Sequence, residues 1–184
     1  MGKTAISLVV MLFALQADDP NLKYLKERGF SISKPPKKDE WQFKDSGRFK
    51  KSQLVVQNIV TDVSIEMYSE ELDSDKINYD PKYTLERLWK SVSSNGDYKE
   101  VKQIGKIQAT TFPNKGAGGQ RVWLLDMTLN LEDMPMEWKA YCFVGHENRS
   151  GFIVYVLSKA GLYAKHKADL EYMLSTIKTY KIPK

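Results

Sequence analysis

Few side chains in this sequence could do covalent or metal chemistry: one thiol, Cys142, two imidazoles, His146 and His166, and many carboxylates. A nucleophilic enzyme needs a Ser or Cys beside a His that an acid orients. Cys142 stands in the run Ala140-Tyr141-Cys142-Phe143-Val144, where strand alternation points it into a core or onto a face beside Ala140. A buried thiol packs as a small hydrophobe. His146 falls in a polar turn with Glu147, Asn148 and Arg149, and His166 lies between Lys165 and Lys167, so both read as solvated surface residues. One cysteine cannot close a disulfide or build a Cys-rich zinc centre, and the two histidines show no ligand spacing. No catalytic residue, metal or cofactor is therefore expected. Carboxylates are plentiful enough to pair for hydrolysis, but sequence spacing does not encode the distance between two carboxyl groups. A small extracytoplasmic hydrolase with an acid-based site stands as the alternative function.

Two further stretches invite ligand readings. The glycines within Asn114-Lys115-Gly116-Ala117-Gly118-Gly119 would cradle a phosphate only if a helix followed; the β-rich residues 120–129 follow instead. The acidic residues 69–80 lack the ordered acid spacing and central glycine of an EF-hand and read as a surface loop. Charge is mildly basic, 28 Lys+Arg against 23 Asp+Glu, and the two signs are interleaved. That pattern argues against a nucleic-acid partner and allows weak attraction to an anionic surface. Recognition is then sought among aromatic and arginine residues, which dominate binding hot spots. Trp123 and Trp138 fall on facing strand candidates beside Arg121 and Lys139. These four are the candidate partner-binding residues, for a protein or a small ligand.

Residues 1–17 supply an address. Lys3 precedes the apolar run AISLVVMLFAL, and Gln16-Ala17 leads out to Asp18-Asp19. The run is too short for the ~20 residues of a spanning helix, and its basic start and small-residue exit match a secretory signal peptide. Cleavage is expected after Ala17, and the location is extracytoplasmic, periplasmic or secreted. No cysteine ends the run, so no lipid anchor is expected.

The elements behind these residues follow from periodicity. Residues 18–28 read as a helical or irregular lead-in, and 29–184 as a single α+β domain. Alternation predicts strands at 29–33, 41–43, 53–60 and 63–68, the last two separate or one long bent strand. Asp80-Pro81 opens a helix in which Leu85, Leu88, Trp89 and Val92 form one stripe, with Gly96 as a left-handed cap. Strand patterns resume over 98–112, bent at Gly105, and over 120–129, with a turn at Asp133-Met134-Pro135-Met136. Residues 137–144 and 152–157 form a hairpin, and a closing helix over 162–177 gathers Tyr163, Leu170, Met173, Leu174 and Ile177 on one face. Strands in runs with two helices point to α+β with a largely antiparallel sheet.

The strand Gly29-Phe30-Ser31-Ile32 before a proline and Trp41, the central helix over 84–92, the hairpins over 121–157 and the closing Leu170-Glu171-Tyr172-Met173-Leu174-Ser175-Thr176-Ile177 together resemble the PsbP-like family. That family includes the extrinsic lumenal subunit of photosystem II, the Ran-binding Mog proteins and secreted bacterial proteins of unknown role. The resemblance covers residues 29–182 and implies an αβα sandwich used as a non-catalytic binding or accessory module. It transfers no active site. A cystatin-like antiparallel α+β fold is the competing architecture.

Overall fold

Period-two alternation of β-branched and aromatic residues makes strands the main regular structure of the described residues. The computed structural model describes residues 19–49, 51–71, 79–112, 121–145 and 150–180. Its elements are β1 (Leu22–Leu25), β2 (Phe30–Ser33), β3 (Trp41–Lys44), β4 (Leu54–Asn58), β5 (Ser64–Glu71), α1 (Pro81–Ser93), β6 (Tyr98–Gln103), β7 (Gln108–Thr111), β8 (Arg121–Leu131), β9 (Met134–Val144), β10 (Ser150–Lys159), α2 (Leu162–Thr176) and β11 (Lys178–Thr179). The larger sheet runs β3-β4-β5-β10-β9-β8-β6, with β7 also on β8, and the smaller runs β1-β2-β11. Neighbouring strands are antiparallel throughout both described sheets. A mostly antiparallel sheet with two helices is the expected α+β class. The leader 1–17, the glycine stretch 114–119 and the turn holding His146 lie outside the described residues.

Local chemistry explains where elements start and stop. The Asp80 carboxylate accepts the Lys82 N–H at 2.8 Å, and Pro81 occupies the first turn of α1. The helix ends at Ser93 with a right-handed cap at Ser94, whose N–H reaches Lys90 O, so Gly96 is not the left-handed cap that the sequence predicts. Gly105 does turn left-handed (φ 72°) and divides β6 from β7. The stretches expected as one bent strand or two are separate: β4 (Leu54–Asn58) and β5 (Ser64–Glu71) form a hairpin. Asn58 closes it by accepting the N–H groups of Val60 and Thr61 at 3.1 and 3.0 Å. The β8–β9 turn falls on Glu132 and Asp133, both at positive φ, as a two-residue hairpin requires. Met134 and Pro135 therefore already belong to β9. The lead-in is likewise a strand: β1 pairs with β2 from Leu22↔Ser33 to Leu25↔Phe30.

Each face of the large sheet buries its own apolar cluster. On one, Phe152, Val154 and Val156 of β10 meet Ile65, Met67, Tyr141, Phe143 and the α2 residues Leu170, Met173, Leu174 and Ile177. On the other, Tyr155 and Leu157 meet Trp138, Ala140, Cys142, Leu125, Met127 and the α1 residues Leu85 and Val92. Alternate residues of the same strand thus serve different helices, and the central strands are apolar on both sides.

Candidate ligand-binding cleft

Among the described residues the two covers on the α1 side of the sheet leave a gap between them. α1 packs over β8, β9 and β6, while the β3–β4 loop lies against the sheet through Phe49, whose ring centroid is 4.4 Å from that of Tyr155 and 4.9 Å from that of Trp138. Between them opens a cleft of about 1060 Å³. Tyr68 of β5 and Ile153 and Tyr155 of β10 line its sheet side, and Tyr79 lines it just before α1. α1 contributes Tyr83, Arg87 and Ser91, four residues apart and so on one helical face, with Thr84 and Leu88 beside them. Arg48, Phe49, Lys51 and Ser52 form the loop wall.

That wall is held by a buried acid. Glu66 of β5 is 1% exposed, and its carboxylate accepts the Arg48 N–H (2.8 Å), the Phe49 N–H (3.3 Å) and the Ser52 hydroxyl (2.6 Å). Three hydrogen bonds from one loop offset the desolvation of the acid. Gly47 lies so close over it that a Cβ there would sit 2.1 Å from Glu66 Oε2. The opposite end depends on a second glycine. The Tyr79 ring lies against Gly151, where a Cβ would stand 2.6 Å from Tyr79 Cζ, and the Tyr79 hydroxyl is 3.3 Å from Cys142 Sγ.

Burial dominates the titration of this region. It pushes the Cys142 thiol up to about 12 and raises the phenols of Tyr79, Tyr155 and Tyr98, so these groups stay protonated and neutral at physiological pH. Charge in the cleft is mixed. The Lys51 ammonium stands 5.8 Å from the Tyr68 ring centroid, the Arg48 guanidinium pairs with Asp62, and Arg87 is exposed. Among the described residues Glu70 and Asp80 supply the lining acids, and Asp80 is already engaged as the α1 cap. Six aromatic rings and a set of hydroxyl, amide and charged groups can stack on apolar faces and hydrogen-bond polar ones. The one thiol nearby, capped by Tyr79 and protonated, is a poor nucleophile. Among the described residues no group of three or more His, Cys, Asp or Glu side chains is placed to hold a metal ion.

The four residues singled out from sequence do not converge. Trp138 is 3% exposed beneath Phe49, Tyr98 and Tyr155, with its indole N–H unpartnered among the described residues. Lys139, its neighbour, necessarily faces the other way. It pairs with Asp126 and lies 4.8 Å from the Tyr163 ring centroid of α2. Trp123 shares the face of Trp138, but the pairs Trp123↔Cys142 and Met127↔Trp138 put four residues, about 13 Å, between them along the sheet. Trp123 is half-buried with the Lys82 ammonium 5.7 Å from its ring centroid, and Arg121 is exposed two residues away on the same face. Sequence reasoning missed the cleft residues Tyr68, Tyr79, Tyr83, Arg87 and Tyr155. The available signal was the exposed i, i+4, i+8 row Tyr83, Arg87, Ser91 on a helix whose apolar stripe lies elsewhere.

No protein-family model matches the chain, and no curated protein does. Solved structures do. The solution structure of cyanobacterial PsbP (CyanoP) from Synechocystis matches at TM-score 0.62 with 16% identity, covering 86% of this chain and 91% of that one. The crystal structure of LpqN, involved in cell envelope biogenesis of Mycobacterium tuberculosis, matches at 0.56 with 11% identity, over 82% and 84%. A structure from Bacteroides thetaiotaomicron matches at 0.54 with 10% identity, over 88% of this chain and 48% of that one. The fold is PsbP-like.

Proposed function

We propose that this PsbP-like chain is an extracytoplasmic, non-catalytic binding or accessory module that holds its ligand in the cleft between α1 and the β3–β4 loop. The single observation that carries the reading is the lining: six aromatic side chains beside mixed polar and charged groups, in a volume suited to a small molecule or a few side chains of a partner. Tyrosine, serine, asparagine and arginine together are also the composition of adaptable protein-recognition surfaces. Residues 1–17 act as the export signal, 18–28 as a lead-in, and 29–184 as one domain. Its two-faced core, with a helix on each side, supports the αβα sandwich reading. The involvement of LpqN in cell envelope biogenesis supports an extracytoplasmic location for this chain.

Native mass spectrometry of the chain isolated from its own envelope tests this. Tyr83 and Arg87 are exposed, so a Tyr83→Ala/Arg87→Ala variant should fold normally. A bound mass or partner present with the wild-type chain and lost or strongly reduced with the variant is expected. Equal retention by both, or no bound species with either, refutes the reading.

A further inference from the structure

The opposite flank of α1 carries a second concave surface. Lys82, Glu86, Trp89 and Lys90 of the helix face Gln103, Lys106 and Ile107 of the β6–β7 connection around a groove of about 370 Å³. Among the described residues three ammonium groups meet one carboxylate there. Glu86 lies 3.6 Å from Lys82, which is one turn away, so the acid is matched within the helix. Lys90 and Lys106 are exposed and have no carboxylate partner among the described residues. The Lys82 ammonium also lies over the Trp123 ring, which extends the positive surface toward exposed Arg121. Trp89 and Ile107 are half-buried, and Ile104 at the same connection is 52% exposed, so apolar contact area accompanies the charge.

We infer that this groove docks an acidic polypeptide segment of a partner protein. Unpaired ammonium groups around half-buried indole and aliphatic surface match what a segment of Asp or Glu interspersed with apolar residues presents. Shape selects among anionic partners: a groove a few side chains wide admits protruding carboxylates, whereas a planar lipid surface would touch only its rim. Among the described residues the most exposed large apolar side chain, Val60 at 78%, lies on the β4–β5 turn instead of beside the lysines, which also disfavours a bilayer here. The inference uses the face of α1 turned away from the cleft and stands whether or not the cleft is occupied.

The test measures fluorescence anisotropy of a labelled Glu/Leu peptide titrated with the full chain, beside co-sedimentation with phosphatidylglycerol vesicles. A Lys90→Glu/Lys106→Glu variant is compared with Lys34→Glu/Lys178→Glu, which changes net charge equally at other sites. Saturable peptide binding is expected, weakened about tenfold or more by the groove reversal and less than about threefold by the control. It should also weaken as salt rises from roughly 50 to 200 mM. Lys90→Gln/Lys106→Gln should act in the same direction with smaller size, which covers any misfolding of the reversed form. Equal weakening by both reversals, no peptide binding, or groove-dependent binding to vesicles alone overturns the inference.

Discussion

Replacing Glu66 with glutamine removes one oxygen from a carboxylate that receives three donors and little else changes in size. An amide oxygen can accept from Arg48 or from the Phe49 and Ser52 pair, and its NH₂ then faces the remaining donors. Hydrogen bonds to a charged group contribute about 1.5–3 kcal/mol each, and an unsatisfied buried donor costs about 1–3 kcal/mol. Loss of one to two such bonds therefore sets the penalty of Glu66→Gln at about 3 kcal/mol, a fall in Tm of about 6–12 °C for a chain of this size. Urea titration measures the energy, and hydrogen–deuterium exchange of the β3–β4 loop measures where it is lost; that loop should exchange faster while β9 and β10 do not. Gly47→Ala drives its methyl group into Glu66 Oε2 and should act alike. Because both changes break one contact, the double variant should fall well short of the sum. Glu70→Gln, exposed on the same strand, should stay within ~0.5 kcal/mol. A Glu66→Gln protein as stable as wild type, or one with an unchanged loop, would refute the assignment of Glu66 as the tether.

Three further outcomes follow from the same geometry. Gly151→Ala sets a methyl group against the Tyr79 ring and should cost about 1–3 kcal/mol by urea denaturation, with faster labelling of Cys142 as the ring is displaced; unchanged stability would contradict the close packing. With its thiol raised to about 12, native Cys142 should resist a disulfide reagent at pH 8 and react fully once unfolded, whereas immediate labelling would show that Tyr79 does not cover it. Partial burial lowers the pKa of His166, which is 3.1 Å from Thr61 Oγ1 and set edge-on to Trp41, with Asp169, Lys165, Lys38 and Glu40 as the charges around it. The unfolded chain then binds the proton more readily, so stability should be full above the ordinary histidine range near ~6.5 and decline as pH falls through it. His166→Gln should flatten that slope, and an unaltered slope would assign it to other groups.

How much was legible in the sequence depends on the range of the interaction. Asp80-Pro81 announces α1 because a cap and a first-turn proline act within four residues, and the alternation of Phe152, Val154 and Val156 against Ile153, Tyr155 and Leu157 announces β10. Gly96 misleads for the same local reason: Ser94 completes the helix end first. The candidate site was hidden because it depends on register. Trp138 and Lys139 look like neighbours in the sequence, yet the pleat sends one under Phe49 and the other toward α2. Strands buried on both faces carry no polar side to mark which aromatic is free. Tyr68, Tyr155 and the α1 row meet only through the order β5-β10-β9, which no local spacing records.

Occupancy of the cleft is most directly measured by hydrogen–deuterium exchange on the chain isolated from its own envelope, before and after the bound species is stripped and the protein refolded. Slower exchange in α1 and in the β3–β4 loop of the isolated form, lost on stripping, is the expected result. Identical exchange in those two segments, or a difference confined to α2 and β11, would contradict a ligand seated between them.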